Sequence, residues 1–262
     1  MLKGLEDLIL SLKFDFYKKE KVSIIKAENH IQGVDIARII IYNYVDSDTA
    51  LFLSGGSTPK ELYKVLAKEK YLLVGEAAMV DERFGESFHR NSNEKMIKKS
   101  KLISYFHKKG INFSRILDEE FTDLHTTALE YEKKVKGVFL RFPKKIAIMG
   151  IGTDGHTASL PASPKLQRGE PATSSHFAKA LRDKQEYAVG VEDFPGEFNR
   201  RITLTFKALS EMDLLIVLIF GLEKKKALEL MFGKEPKDYV PAKFYTKPEI
   251  AVKTIVITDQ KI

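Results

Sequence analysis

The chain has 262 residues, 44% hydrophobic and 30% charged, and 43 Lys and Arg against 36 Asp and Glu leave a formal charge of +7. That size allows one large domain or two small ones, with a core that needs no covalent staple. The balance excludes wholesale disorder and suits an anionic partner, without choosing among a phosphorylated metabolite, a nucleic acid and a membrane surface.

Cysteine is absent, which excludes disulfides, thiolate metal sites and a cysteine nucleophile. The six histidines lie at least 18 residues apart, so no pair has helical zinc spacing, and no metal or cofactor is expected. The longest apolar run, Leu214–Phe220, is seven residues, far short of the roughly 20 of a membrane span. Glu6 and Asp7 interrupt the N-terminal apolar pattern, unlike a signal peptide. A cytoplasmic protein with no membrane partner is the expectation. No nucleic-acid-binding motif occurs either, and nothing in the sequence sets an oligomeric state.

In chain order, Val22–Lys26 reads as a strand and Ile31–Val45 as a helix capped by Asn29. Thr49–Leu53 is a strand, Pro59–Lys68 a helix, and Ala77–Val80 a short strand. A helix follows Ser92, and another runs from about Thr122 to Lys136 and stops at Gly137. Lys145–Met149, Tyr187–Val191, Arg201–Phe206, Leu214–Phe220 and Thr254–Thr258 are strands, with a helix over Glu223–Phe232. This alternation predicts one α/β domain spanning residues 1–262. It is a three-layer α/β/α, Rossmann-like arrangement with a mainly parallel sheet and helices on both faces. Ligands of such sheets bind beyond the carboxyl ends of the strands, so the residues that follow each strand are the candidates.

After Thr49–Leu53 comes Ser54-Gly55-Gly56-Ser57-Thr58-Pro59. Thr58 reads as an N-cap boxed with Glu61, and Pro59 as the first helical residue. Gly55, Gly56, Ser57 and Thr58 then offer N–H and hydroxyl donors to an anion at a helix start. After the next strand, Asp81 and Arg83 can point into a cleft, Arg83 gripping phosphate as a planar fork. After Lys145–Met149, Gly150, Gly152 and Gly155 match the dinucleotide fingerprint, but Pro161 and Pro164 cut the helix short. Ser174 and Ser175 stand about where that fingerprint needs an acid. What remains is a glycine turn that presents Asp154 and His156, the latter an acid/base candidate. Lys224, Lys225 and Lys226 open a helix against its dipole, which an anion at the strand tip explains.

These segments resemble the 6-phosphogluconolactonase family. The matching pieces are SGGSTPKELY at 54–63, DERF at 81–84, HRNSN at 89–93, GIGTDGHTASL at 150–160, RITLT at 201–205 and the Gly221 to Lys224 turn. The related glucosamine-6-phosphate deaminase/isomerase branch has Tyr where Arg83 stands and continues differently after the histidine. The resemblance implies His156 as acid/base, Asp81 and Arg83 as site acid and substrate arginine, Gly55–Thr58 as phosphate cradle, and a phosphorylated sugar lactone as substrate. Asp81 or Asp154 is expected to orient the histidine or a hydroxyl, and the sequence leaves open which. Two stretches depart from the family pattern. Leu160-Pro161-Ala162-Ser163-Pro164 is shortened, and Glu192–Arg200 stands where the family carries S-P-K-P-P with a lysine near substrate. Adjacent residues point to opposite sides of a strand. Arg201 aligns with the family's R-I-T arginine, so Arg200 is the candidate to replace the lysine. The expectation is metal-independent hydrolysis of 6-phosphogluconolactone. The rivals are a deaminase/isomerase-like activity and a non-catalytic sugar-phosphate sensor.

Overall fold

The computed structural model describes residues 2–118, 123–162, 186–234 and 240–261. Ser163, Pro164, Ser174, Ser175 and Thr122 lie outside them. The main sheet has eight strands in the order β1 (Asp15–Lys19), β2 (Val22–Lys26), β11 (Thr254–Thr258), β10 (Leu214–Ile219), β7 (Lys144–Gly150), β3 (Thr49–Leu53), β4 (Glu76–Met79) and β6 (Asn112–Ser114). All pairs are parallel except the β1–β2 hairpin. Every residue of β3, β10 and β11 is buried. That is why these strands read as unbroken apolar runs rather than as alternation.

Among the described residues the α-helices are α1 (Leu2–Ser11), α2 (His30–Tyr44), α3 (Ser57–Glu69), α4 (Asn93–Lys99), α5 (Leu102–Lys109), α6 (Leu124–Arg141), α7 (Phe206–Ser210), α8 (Lys225–Phe232) and α9 (Pro248–Ala251). With the main sheet they form the expected three-layer α/β/α arrangement. Asn29 caps α2 through Gln32 N–H, and Ser92 caps α4 through Lys95 N–H.

Three local expectations are corrected. First, helix α6 does not stop at Gly137. Asp123 caps its start, and the chain continues helical to Arg141, because the turn beyond Gly137 buries Val138 completely. That burial exceeds the ~1 kcal/mol penalty of a helical glycine. Second, α3 starts at Ser57, and its N-cap is Gly56 at φ 103°, with no side-chain cap. Thr58 therefore lies inside the first turn, the Thr58–Glu61 box does not form, and Glu61 pairs with Lys64 at 2.8 Å. Third, β8 (Ala188–Val191) and β9 (Arg201–Leu204) are not in the parallel sheet. With β5 (Asp81–Arg83) they make a separate antiparallel sheet in the order β5-β9-β8. The short 192–200 connection is too small for a parallel crossover, so β8 and β9 pair as a hairpin.

The sheets meet at Val80, whose N–H donates to Leu53 O and whose carbonyl accepts from Leu204 N, both at 2.9 Å. Nearby, the fully buried Tyr63 of α3 donates its hydroxyl to Ser54 O at 2.8 Å, fixing the exit of β3. Tyr63→Phe removes that donor from a buried carbonyl, for which the expected cost is about 1–3 kcal/mol. The denaturant midpoint of the variant, at unchanged slope, measures it.

Candidate active site

The carboxyl ends of β3, β4, β7 and β10 open, beside β5 and β9, onto a cleft of about 170 Å³. The Ser54–Pro59 turn forms one wall, Asp81, Arg83 and Asn93 a second, and the glycine turn with His156 and Ala158 a third. Arg201 and Lys224 complete it.

The strand β7 ends at Gly150, and the chain then folds back on itself. Gly155 N–H donates to Gly152 O at 2.9 Å, and Gly152 N–H donates to His156 O at 2.8 Å. The imidazole lies so close over Gly152 that a Cβ there would sit 2.1 Å from Nδ1, so no other residue fits beneath the ring. Asp154 Oδ1 is 2.6 Å from His156 Nδ1 and also accepts the His156 backbone N–H at 3.1 Å. Partial burial pushes the Asp154 carboxyl up, but its bonds to His156 outweigh that and hold it down at about 2. A carboxylate can only accept, so Nδ1 carries the proton, and the neutral ring keeps its lone pair on Nε2. The sequence leaves open whether Asp81 or Asp154 touches the histidine; in the structure the contact is with Asp154.

Asp81 is buried and accepts Ser159 Oγ at 2.7 Å on Oδ2. Arg201 is also buried. Its Nε donates to Phe198 O at 2.8 Å, and Nη1 approaches Ser159 Oγ at 3.5 Å. Burial draws its guanidinium down to about 10, with Asp81 opposing and Arg83 adding to the shift. Arg83 Nη1 donates to Asn91 O at 2.9 Å and to Asn93 Oδ1 at 2.8 Å. Asn93 in turn donates Nδ2 to Asp81 O at 2.9 Å. Lys224 Nζ donates to Ile151 O at 2.7 Å, and burial lowers its pKa.

Two polar atoms of cleft-lining residues, Ser54 Oγ and Arg83 Nε, are buried without a hydrogen-bond partner among the described residues. Buried polar groups are rarely left so, and both belong to cleft-lining residues beside the α3 N-terminus. The expected cradle residues Gly55, Gly56, Ser57 and Thr58 all line the cleft. Arg200 does not. It is exposed, its guanidinium 4.6 Å from the Phe84 ring centroid, because strand alternation turns Arg201 inward and leaves Arg200 outside. Arg200 therefore does not take the place of the missing lysine. Sequence reasoning missed Asn93, Ser159 and Glu82. The carboxylate of Glu82 is fully buried and accepts the N–H groups of Arg83, Asn93 and Glu94 at 2.6–2.7 Å. Ser159 and Glu82 sit inside motifs that draw attention to their neighbours, and neither has a spacing signal of its own. Among the described residues, no group of three or more His, Asp or Glu is placed to hold a metal ion, and no helix is long and apolar enough to cross a membrane.

The glucosamine-6-phosphate isomerase/6-phosphogluconolactonase family profile matches residues 43–254, and the chain belongs to that family. It is 30% identical to the 6-phosphogluconolactonase of Synechocystis sp. over 205 residues, 73% of this chain and 75% of the relative. Identity to the 6-phosphogluconolactonase of Nostoc sp. is 29%, over 75% of this chain and 77% of the relative. Among solved structures, 6-phosphogluconolactonase from Plasmodium vivax matches with a TM-score of 0.71 at 20% identity, covering 97% of this chain and 94% of the other. That from Thermotoga maritima matches at 0.67 and 22%, covering 90% and 97%. These two likenesses are likenesses of fold.

The lowered Asp154 pKa gives a testable pH dependence. A carboxylate whose folded value lies below its unfolded value, near 3.9, stabilises the fold above that pH and loses the contribution as pH falls through about 2. Asp154→Asn is therefore expected to melt below wild type at neutral pH, with the gap closing between about pH 4 and 2. Paired thermal melts across that range measure it.

Proposed function

We propose that this chain hydrolyses 6-phosphogluconolactone to 6-phosphogluconate. The observation that carries the reading is that an imidazole with a fixed tautomer and a ready-made anion cradle face one cleft. The 6-phosphogluconolactonases among its relatives support the substrate class.

The phosphate sits at the α3 N-terminus, against the N–H and hydroxyl groups of Ser57 and Thr58, with Arg83 and Ser54 supplying the unpaired Nε and Oγ. Binding at this remote group fixes the lactone carbonyl over the glycine turn. His156 Nε2 accepts a proton as water attacks the carbonyl. Asp154 holds Nδ1–H and steadies the imidazolium that forms. As the tetrahedral intermediate collapses, the ring C–O bond breaks and Nε2–H returns the proton to the departing oxygen. The carboxylic acid product ionises to solvent. His156 thus both takes and returns the proton of the attacking water, and the ionising product releases one proton to solvent.

Hydrolysis of phosphorylated and unphosphorylated lactones, corrected for the spontaneous rate and run with and without a chelator, tests this reading. Product analysis separates it from isomerisation or deamination. His156→Ala is expected to lower kcat by about 10²–10⁴-fold while substrate still binds. Activity within about twofold of wild type would remove His156 from the mechanism.

Arg83→Ala is expected to raise KM for the phosphorylated lactone far more than it lowers kcat, because a grip on a non-reacting group is mostly uniform binding. The two lactones should then become nearly equivalent substrates. If wild type already hydrolyses the unphosphorylated lactone equally well, the cradle does not bind phosphate.

A further inference from the structure

The 192–200 connection, where the chain departs from the family pattern, contributes no cation to the cleft. Its two phenyl rings pack instead against residues that line the cleft. The Phe194 ring is 5% exposed and sits under two functional groups at once. The Arg201 guanidinium lies over its face, 3.6 Å from the centroid. The His156 imidazole meets it perpendicularly, with centroids 5.2 Å apart and planes at 90°. Phe198 is the second ring, 6.0 Å from the Arg83 guanidinium carbon.

The two groups that meet on Phe194 come from different sheets. His156 follows β7 of the main sheet, and Arg201 begins β9 of the small one. The connection that carries the ring is itself tied down. Phe194 N–H donates to Asn199 O at 2.9 Å, and Phe198 O accepts Arg201 Nε at 2.8 Å. Arg201 is thus held by its Nε to the loop backbone and by its face to the loop's ring. Asp154 fixes one edge of His156, Gly152 lies under it, and Phe194 closes a further side.

We infer that Phe194 is a positioning residue for the reaction proposed above: one buried ring sets the spacing between the acid/base imidazole and the Arg201 guanidinium. The inference rests on the reading of His156 as the acid/base group. Neither contact reaches substrate, so the ring acts only through its two neighbours. A cation over a ring face gains from the negative face of the aromatic quadrupole, and perpendicular rings are a favoured aromatic pairing. An aliphatic side chain of similar volume fills the space but supplies neither contact.

The test is Phe194→Leu and Phe194→Tyr, each assayed beside wild type and His156→Ala. Phe194→Leu is expected to fold with nearly unchanged far-UV signal, to lower kcat about tenfold, and to raise KM severalfold. Small misplacements of a reacting group cost up to about 10²-fold. Phe194→Tyr, which keeps the ring, should recover most of both. A spectroscopic readout stands apart from activity. The Phe194 ring current displaces the His156 ring-proton resonances in the unliganded protein, and the displacement should vanish in Phe194→Leu and persist in Phe194→Tyr. A folded Phe194→Leu with wild-type kcat, KM and His156 resonances overturns the inference. So does a variant that merely melts earlier with those three unchanged. Should Phe194→Leu not fold, Arg201→Lys decides, because releasing the ring from its guanidinium must move the His156 resonances; unmoved resonances overturn the inference. Full activity in His156→Ala defeats the acid/base reading instead, and the resonances still report whether Phe194 positions the ring.

Discussion

The geometry of the cleft depends on one residue having two partners. The chain leaves β4 at Met79 and enters β5 at Asp81, and Val80 between them is hydrogen-bonded to both sheets, through its N–H to Leu53 and through its carbonyl to Leu204. That crossing is one of the ties that fix the small sheet against the large one. Ser54 and His156 follow strands of the large sheet, whereas Asp81, Arg83 and Arg201 belong to the small one. The crossing is dry, since Val80, Leu53 and Leu204 are all fully buried. Its two backbone bonds therefore have no water to compete with them.

A second anchor holds the small sheet from the opposite side. Glu82 follows Val80 and Asp81 into the interior, and its carboxylate gathers the N–H groups of Arg83, Asn93 and Glu94. Burial raises its pKa to about 8, with those N–H bonds pulling against the shift and the nearby Glu94 adding to it. Glu94 is equally buried but has Arg115 and the N–H groups of Ile116 and Leu117 as partners. Two carboxyl groups side by side in a core are costly unless each is fully hydrogen-bonded. Here their partners are the backbone at the start of α4 and beyond β6. The same bonds place Asn93 against Arg83, so a carboxyl group deep in the fold helps determine where the half-buried Arg83 guanidinium points.

The sequence makes the main sheet and the two long turns legible because each carries a local signal. Buried parallel strands appear as unbroken apolar runs, and Gly-rich turns after strands mark places where backbone must come close to something. What is not legible depends on tertiary partners. Nothing in Asp81–Arg83 announces a strand, because three residues paired to Arg201–Thr203 show no periodicity. Gly137 looks like a stop signal, but the burial of Val138 beyond it decides the matter. Thr58 has the composition of a cap, yet Gly56 at positive φ starts the helix two residues earlier and leaves Thr58 free to line the cleft. The choice between Asp81 and Asp154 could not be read from spacing either. Asp154 is two residues from His156 within one tight turn, while Asp81 reaches Ser159, a residue 78 positions away.

The charges explain why an anion belongs in this cleft. Among the described residues, its lining side chains include three cations, Arg83, Arg201 and Lys224, against one carboxylate, Asp81, with Asp154 behind the imidazole. Arg201 and Lys224 are both held below their ordinary pKa values chiefly by burial, so each bears a desolvation cost that the protein alone does not fully offset. A phosphate monoester near neutral pH brings a charge of about −1.5 to −2. That is close to the excess of cation over carboxylate, and its oxygens match the donors still unused on Arg83 and Ser54. Under the proposed function, a bound phosphate would relieve a cost already present in the fold, so part of the binding energy would come from the cations it neutralises and the rest from the contacts it makes. The imidazole lies outside that exchange, because Asp154 already satisfies its Nδ1, and Nε2 remains available to the reacting end of the molecule.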